Sequence, residues 1–219
     1  MKRFACFLLS TVFFANSALA QNANYKTGKY NKNVEFTDSK SPFSFKVGYN
    51  LSNVIVSPEP LNIINSKNGF HFGIVANSIQ LGSHVGIQPE LLYSMQGFKI
   101  GGLGNVGLHY LSLPILLKMD LGGNASILVG PQVSYLINAK IGIGNDLFSV
   151  SYAGIFQKWD ACLVAGLEYR VNDKISLGGR YLLGLNNINK DFNLGQNNTF
   201  NDYFSLKNST AQFYMTVNL

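Results

Sequence analysis

The sequence predicts an all-β fold, an eight-stranded antiparallel transmembrane β-barrel with short periplasmic turns and long extracellular loops. Two observations predict this fold. Apolar and polar residues alternate with a period of two in eight segments, and the connections between these segments alternate between long and short. A third observation excludes helical spans, because no segment after the N-terminal leader reaches about 18 consecutive apolar residues. An even number of strands would place both termini of the barrel domain on the periplasmic side.

The N-terminal leader has the pattern of a secretory signal peptide. Lys2 and Arg3 form a positive region, an apolar stretch follows, and residues 18–20 (ALA) match the small-x-small cleavage pattern. We therefore expect cleavage between Ala20 and Gln21 and export of the mature chain. The alternative is an anchoring transmembrane helix, which is disfavoured because the apolar run is shorter than the ~20 residues that span a bilayer.

The chain is expected to have three parts. These are a signal peptide at residues 1–20, a polar periplasmic N-terminal tail at 21–42 and an outer-membrane β-barrel domain at 43–219. The mature chain keeps one cysteine, Cys162, so it cannot form an intramolecular disulfide. Because the neighbours of Cys162 are apolar, we expect a buried, unreactive side chain.

The eight alternating segments set the predicted strands. Their apolar faces begin with Phe43, Phe70, Val85, Leu111, Ile127, Trp159, Ile175 and Ala211. The short connections are expected at 81–84, 120–124 and 171–173, and the long ones at 52–68, 98–107, 142–157 and 187–208. Each segment is long enough to cross a bilayer as a tilted strand.

Alternation alone does not say which face of the barrel is inside. A soluble lipocalin-like barrel shows the same period with the faces exchanged. Only 13% of the residues are charged, about half of what a water-exposed protein carries. The polar faces are also rich in Gly and Ser, the small residues that a narrow interior needs. We therefore expect the apolar faces to contact lipid.

Charged residues on the polar faces form the first candidate site. They are Lys46, Glu90, Lys118, Glu168, Arg170 and Arg180. An unpaired charge in so narrow an interior is costly, so we expect Glu90 and Glu168 to pair with the basic residues and plug the barrel. The open alternatives are a packing network without a transport role and a lumen that conducts.

Prolines within strands form the second candidate site. Pro89, Pro114 and Pro131 occur in strands three, four and five, although proline removes a donor from the hydrogen-bond ladder. We expect all three at similar depth toward the periplasmic rim, each at a bulge that shapes the wall. The alternative is a weakened seam on which a partner or substrate acts.

Three segments resemble the hallmark segments of the Bacteroidota outer-membrane β-barrel family, whose members are often labelled porin-family or PorT-like proteins. These segments are 88–94 (QPELLYS), 110–118 (YLSLPILLK) and 130–133 (GPQV), and the similarity extends to 48–53 and 180–185. The resemblance covers roughly residues 43–219. It implies location in the cell outer membrane of a Gram-negative bacterium, and the PorT-like label implies a role in envelope secretion or gliding.

No enzyme, cofactor or metal site is expected. The histidines His71, His84 and His109 lie on different segments without metal-ligand spacing, and no nucleophile motif accompanies them. The expected function is that of an outer-membrane barrel acting through its loops or an envelope partner, in secretion, assembly or a structural role. The alternative is a narrow channel for ions or small solutes.

The expected partners are outer-membrane lipid and another envelope protein or a surface glycan. Aromatic residues in the predicted long connections, such as Phe148, Tyr152 and Phe156, suit contact with such a partner. The excess of basic residues is small and scattered along the chain, so a nucleic-acid partner is not expected.

Overall fold

A computed structural model describes residues 41–57, 64–77, 79–81, 83–101, 104–143, 148–151, 154–189 and 205–219. All of them belong to one compact unit, Thr37–Leu219. The predicted signal peptide, its cleavage site and almost all of the predicted periplasmic tail lie outside the described residues. No helix in the described ranges is long and apolar enough to cross a membrane.

Ten β-strands form one antiparallel sheet. In chain order they are β1 Phe43–Ser57, β2 Ile64–Ala76, β3 Ile79–Gln80, β4 Val85–Ile100, β5 Gly104–Asp120, β6 Ala125–Ile143, β7 Phe148–Ser151, β8 Trp159–Arg170, β9 Ile175–Gly184 and β10 Ser205–Asn218. The eight long strands form the wall, and β1 pairs with β10 to close it. The short strands β3 and β7 pair with one end of β4 and β6, respectively. This closed, eight-stranded barrel confirms the predicted fold class.

The barrel has two unlike ends. At the first, which we call the turn end, lie Phe43, Leu219 and the connections at 77–84, 121–124 and 171–174. The other end, which we call the loop end, carries the remaining connections. The three short turns fall where the sequence predicted them, and β3 is an addition within the first of these connections.

Two of the predicted long connections are wrong. Residues 98–107 are mostly strand, because β4 continues to Ile100 and β5 begins at Gly104. Residues 52–68 are also mostly strand, since β1 continues to Ser57 and β2 begins at Ile64. The pairing of β4 with β5 continues to Ile100 and Gly104 without a break in register. The loop end therefore extends the barrel wall where the sequence suggested loops.

The reason for this difference is that the apolar face changes sides near the loop end. In the middle of β1, Tyr49 and Leu51 face outward, whereas Val54 and Val56 further along are buried in the interior. The same change occurs in β4, where Phe98 is buried. Because the alternation of apolar and polar residues changes phase within these strands, a single period-two pattern does not continue through them. The sequence therefore predicts loops at these stretches.

A register shift also corrects the predicted face of β6. His109 pairs with Asn138 but Tyr110 pairs with Leu136, so β6 has one extra residue at this point. Beyond the shift, Ala139 is fully buried and Lys140 is exposed. Period-two alternation from Ile127 predicts the reverse, with Ala139 facing lipid and Lys140 facing the interior. An extra residue in one strand inverts every later side chain of that strand.

The prolines do not lie at bulges, contrary to the prediction. Pro89 pairs with Ile115, and the register between β4 and β5 is the same on both sides of this pair. Pro114 pairs with Gln132, and the register between β5 and β6 is likewise the same on both sides. The pairing of β6 with β8 runs through Pro131 and Leu163 without a break. The three prolines lie beside each other on β4, β5 and β6. They remove single donors from the ladder and leave its register unchanged.

Candidate functional site in the barrel interior

Three of the charged residues singled out in the sequence meet inside the barrel. The Glu90 carboxylate accepts a hydrogen bond from Lys46 Nζ at 2.6 Å on Oε1 and from Arg180 Nη1 at 2.8 Å on Oε2. All three side chains have no exposed surface. Gln88 Nε2 adds a third donor to Glu90 at 2.9 Å. We call Lys46, Glu90 and Arg180 the ion triad.

The ion triad crosses the full width of the barrel. Glu90 lies on β4 and Arg180 on β9, and in the closed strand order these strands are four positions apart in either direction. They therefore lie on opposite walls. Lys46 lies on β1, between them along one side. A single hydrogen-bonded bridge thus joins opposite sides of the barrel at this level.

The ring of Tyr214 packs against both cations of the ion triad. Lys46 Nζ lies 4.0 Å from the ring centroid and Arg180 Cζ lies 5.4 Å from it. Both are cation–π distances, which are worth most where water is absent. Tyr214 of β10 pairs with Gly178 of β9. A Cβ on Gly178 would lie only 2.3 Å from Tyr214 Cζ. Glycine at this position therefore makes room for the ring.

Uncharged side chains continue the network toward the loop end. Arg180 Nε donates to Gln212 Oε1 at 2.6 Å, and Gln212 Nε2 donates to Asn50 Oδ1 at 2.9 Å. Asn50 Oδ1 also lies 2.6 Å from His71 Nδ1, and Asn50 Nδ2 donates to Ser94 at 3.1 Å. His71 lies in the middle of β2, not at its start, and is fully buried. Sequence reasoning did not include these uncharged groups in the candidate site.

The remaining predicted charges divide into a pair and a single residue. Lys118 Nζ donates to Glu168 Oε1 at 2.6 Å, joining β5 to β8. This pair is less deeply buried than the ion triad, with 17% of the Lys118 side chain exposed. Arg170 is half-buried near the turn end and takes no part in these contacts. The structure thus brings five of the six predicted residues into two groups.

An apolar cluster fills the interior at the loop end. Its buried members are Val54, Val56, Phe98, Val106, Leu108, Tyr110, Leu136, Ala139, Phe156 and Ile188. Phe156 was predicted to be available for a partner on a loop, but it is buried in this cluster and only 6% exposed. Residue 152 and the side chain of Phe148 lie outside what the structure describes. The phase change along β1, β4 and β5 was the signal that could have revealed the cluster.

The interior is therefore less polar than the sequence suggested. A second group of inward apolar side chains (Leu116, Leu128, Val164 and Leu182) packs with Tyr214 nearer the turn end. The expected small residues are present as well, since Gly48, Gly166 and Gly178 leave space for larger inward side chains. Apolar packing and charge pairs therefore both contribute to the interior.

Cys162 is buried, as predicted, and only 1% exposed. Its Sγ donates a weak hydrogen bond of 3.5 Å to Asp160 Oδ2, which also accepts one from Asn208 Nδ2 at 2.6 Å. Asn208 Nδ2 lies 3.3 Å from the hydroxyl of Tyr110. Tyr110 belongs to the apolar cluster, so these polar groups lie at the edge of that cluster and the thiol has a packing role.

Two of the histidines singled out in the sequence lie on opposite faces of the barrel wall. His71 faces the interior, whereas His109 lies on the outer side of β5, where its Nδ1 contacts the Tyr93 hydroxyl. Among the described residues, no group of three or more His, Cys, Asp or Glu side chains is placed to hold a metal ion.

Comparisons with known proteins agree with this architecture. The family described as outer membrane protein beta-barrel domain matches residues 19–190. The comparison with curated proteins found no match. Among solved structures, Neisserial surface protein A is similar at a TM-score of 0.54 and 13% identity, over 82% of this chain and 98% of that chain. Ail, the attachment invasion locus protein of Yersinia pestis, has a TM-score of 0.46 at 16% identity, over 80% and 96%. Because the family match covers more than half of the sequence, the chain belongs to the outer membrane protein beta-barrel domain family and is an outer-membrane protein.

Proposed function

We propose that the protein is a closed, non-catalytic outer-membrane barrel that works through its loops or an envelope partner, in secretion, assembly or a structural role. The observation that carries this proposal is the bridge between Glu90 and Arg180, which joins opposite walls inside the barrel. The apolar cluster fills the interior above this bridge. With the interior occupied, the surfaces left for function are the outer wall and the two ends.

A narrow channel is the alternative, and the energetics disfavour it. Opening a path would separate Glu90 from at least one of its two cations while all three remain inside the wall. Removing one partner from a buried ion pair costs about 3–5 kcal/mol, because the other charge is left uncompensated. The apolar cluster would also have to separate to let a hydrated ion through. Neither change is favourable without a partner that drives it.

The narrower assignment to the PorT-like members, and with it an envelope secretion or gliding role, is part of this proposal. It is supported by the residues that resemble the family hallmarks at 88–94, 110–118 and 130–133. The signal peptide proposed at residues 1–20 fits the same route to the outer membrane. None of these features requires a cofactor.

Conductance across planar bilayers tests the closed interior. We expect the full-length mature barrel to give no steady single-channel current in either voltage direction. A porin reconstituted by the same procedure serves as the positive control for insertion. Reproducible ohmic steps from the wild-type barrel would refute the closed-barrel proposal and favour the channel.

Crosslinking in cells tests the partner. The tagged barrel is crosslinked in intact cells and purified from outer-membrane fractions, and the attached peptides are identified. We expect an envelope protein in stoichiometric amount, crosslinked at the loop end or the turn end. Recovery of the barrel alone would refute the partner role, whatever the conductance experiment shows.

A further inference from the structure

The outward-facing residues of the barrel wall change from apolar to basic at the loop end. Strand lysines there point outward, and no acidic side chain does so within the part of the chain that the structure describes. Lys99, Lys140 and Lys207 do so by strand register, and Lys67, beside the register shift of β2, reaches the outward-facing Asn105. Below them the outward residues are apolar, as expected for a surface in contact with lipid tails. The lysines therefore mark the level at which the wall leaves the hydrocarbon region.

Two basic side chains converge over a glycine at this level. Gly107 of β5 faces outward and has no side chain of its own. A Cβ at this position would lie 3.0 Å from Lys67 Nζ and 3.9 Å from His109 Nε2. On the other side, Lys140 of β6 pairs directly with Gly107 in the strand register. We call Lys67, His109 and Lys140 around Gly107 the basic notch.

Local structure directs both nitrogens toward the basic notch. Lys67 lies at the register shift between Ser66 and His71, and its side chain reaches across β4 to donate to Asn105 Oδ1 at 2.7 Å. His109 Nδ1 is in contact with the Tyr93 hydroxyl. When that hydroxyl donates to Nδ1, the ring proton is on Nε2 and points toward Gly107. The Lys67 ammonium and the Nε2 edge of His109 then lie together on the outer face of β5 around Gly107, an arrangement suited to an anion.

An aromatic cluster lies directly beside the basic notch on the outer wall. The rings of Phe72 and Phe70 lie 5.2 Å and 6.0 Å from the ring of Tyr93. Aromatic side chains in such a band sit at the boundary between lipid tails and headgroups. An anion held at the basic notch would thus be at headgroup level, where phosphate groups of lipids are concentrated.

We infer that the basic notch binds the phosphate of a phosphorylated lipid headgroup in the outer leaflet. Lys67 and Lys140 supply positive charge, the Nε2 edge of His109 supplies an N–H donor, and Gly107 adds no side chain that would cover these groups. This inference rests on the outer-membrane location of the barrel and on the predicted extracellular position of its loop end. It stands whether or not the interior conducts and whether or not a protein partner is found, so its failure is distinguishable from failure of the proposed function.

Native mass spectrometry of the full-length mature barrel in non-ionic detergent tests the inference. The probes are bisphosphorylated lipid A, the same lipid after removal of both phosphates, and sodium orthophosphate. We expect the phosphorylated lipid to bind more tightly than the dephosphorylated one. Loss of one lysine should weaken its binding about fivefold, and loss of both Lys67 and Lys140 about 25-fold.

Two kinds of variant separate the site from general charge effects. Lys140→Gln removes a notch lysine, whereas Lys174→Gln makes the same charge change at the turn end and should leave binding unchanged. Gly107→Leu keeps every charge but places a side chain against Lys67 and His109, so it should also weaken binding of the phosphorylated lipid. Its Cβ meets mainly the flexible end of Lys67, so the barrel should still fold.

Several results would overturn the inference. They are equal binding of the two lipids, unchanged binding by Lys140→Gln and Gly107→Leu, or an equal loss with Lys174→Gln. Orthophosphate that binds with the same dependence on Lys140 and Gly107, and displaces the lipid, would identify a free-phosphate site and refute the lipid assignment.

Discussion

Replacing Glu90 by glutamine tests whether the ion triad stabilises the barrel. The substitution preserves shape and one acceptor oxygen but removes the negative charge between Lys46 and Arg180. Both cations bind Glu90 within 2.8 Å and have no exposed surface, so water cannot compensate for the loss. Removing one partner from a buried ion pair costs about 3–5 kcal/mol. We expect the free energy of unfolding of Glu90→Gln to fall by about that amount.

The assay is equilibrium unfolding in urea of the barrel reconstituted in lipid vesicles. Trp159 is the only tryptophan of the sequence, and its side chain is 60% exposed on the outer face. Its fluorescence therefore reports transfer of the wall from lipid to water. The difference in midpoint between wild type and variant, at unchanged slope, gives the change in stability.

Two further variants make the interpretation specific. Glu168→Gln removes a carboxylate from a pair that is partly open to water, and it should cost only about 1–2 kcal/mol. Adding Lys46→Met to Glu90→Gln removes one uncompensated cation, so the double variant should be more stable than Glu90→Gln alone. If Glu90→Gln costs no more than Glu168→Gln, and Lys46→Met gives no recovery, the ion triad does not stabilise the barrel as argued.

Three other predictions use the same unfolding assay or a simple labelling reaction. Tyr214→Leu should cost about 2 kcal/mol more than Tyr214→Phe, because only phenylalanine keeps a ring against the two cations, and equal losses would contradict this role. Leu108→Ala should cost about 2–5 kcal/mol by leaving a cavity in the apolar cluster. Leu111→Ala, on the lipid-facing side of the same strand, is the matched control and should cost clearly less. Cys162 should resist a soluble maleimide in the folded barrel and react after unfolding, and rapid labelling of the folded protein would show that the interior is open.

The middle of the barrel was predictable because one physical rule governs it. Where the outer wall contacts lipid, outward residues such as Phe45, Leu111 and Phe213 must be apolar, and period-two alternation follows. The same rule placed Lys46 and Glu90 on the inner face. Their partners could not be deduced, because pairing across the interior depends on which strands lie on opposite walls.

The loop end was less predictable because a different rule applies there. Beyond the lipid, Phe98 and Val106 turn inward to fill the barrel, while Lys99 and Asn105 face outward. The glycines Gly97 and Gly104, both with positive φ, add turn-like signals within these paired strands. The sequence contained the alternation, but with the opposite phase, so its interpretation as loop was wrong.

Closure of the wall also links the ion triad to the order in which the chain is assembled. Lys46 lies on the first strand, Glu90 in the first half of the chain, and Arg180 on the strand next to the last. The final contact, between β1 and β10, joins residues as far apart in sequence as Ser44 and Asn218. Any barrel that inserts before β9 and β10 have joined it carries Glu90 and Lys46 without Arg180 and without the Tyr214 ring. Such a barrel keeps the Lys46–Glu90 pair but leaves Glu90 Oε2 without its Arg180 donor, so only the complete barrel gives both carboxylate oxygens a cationic partner.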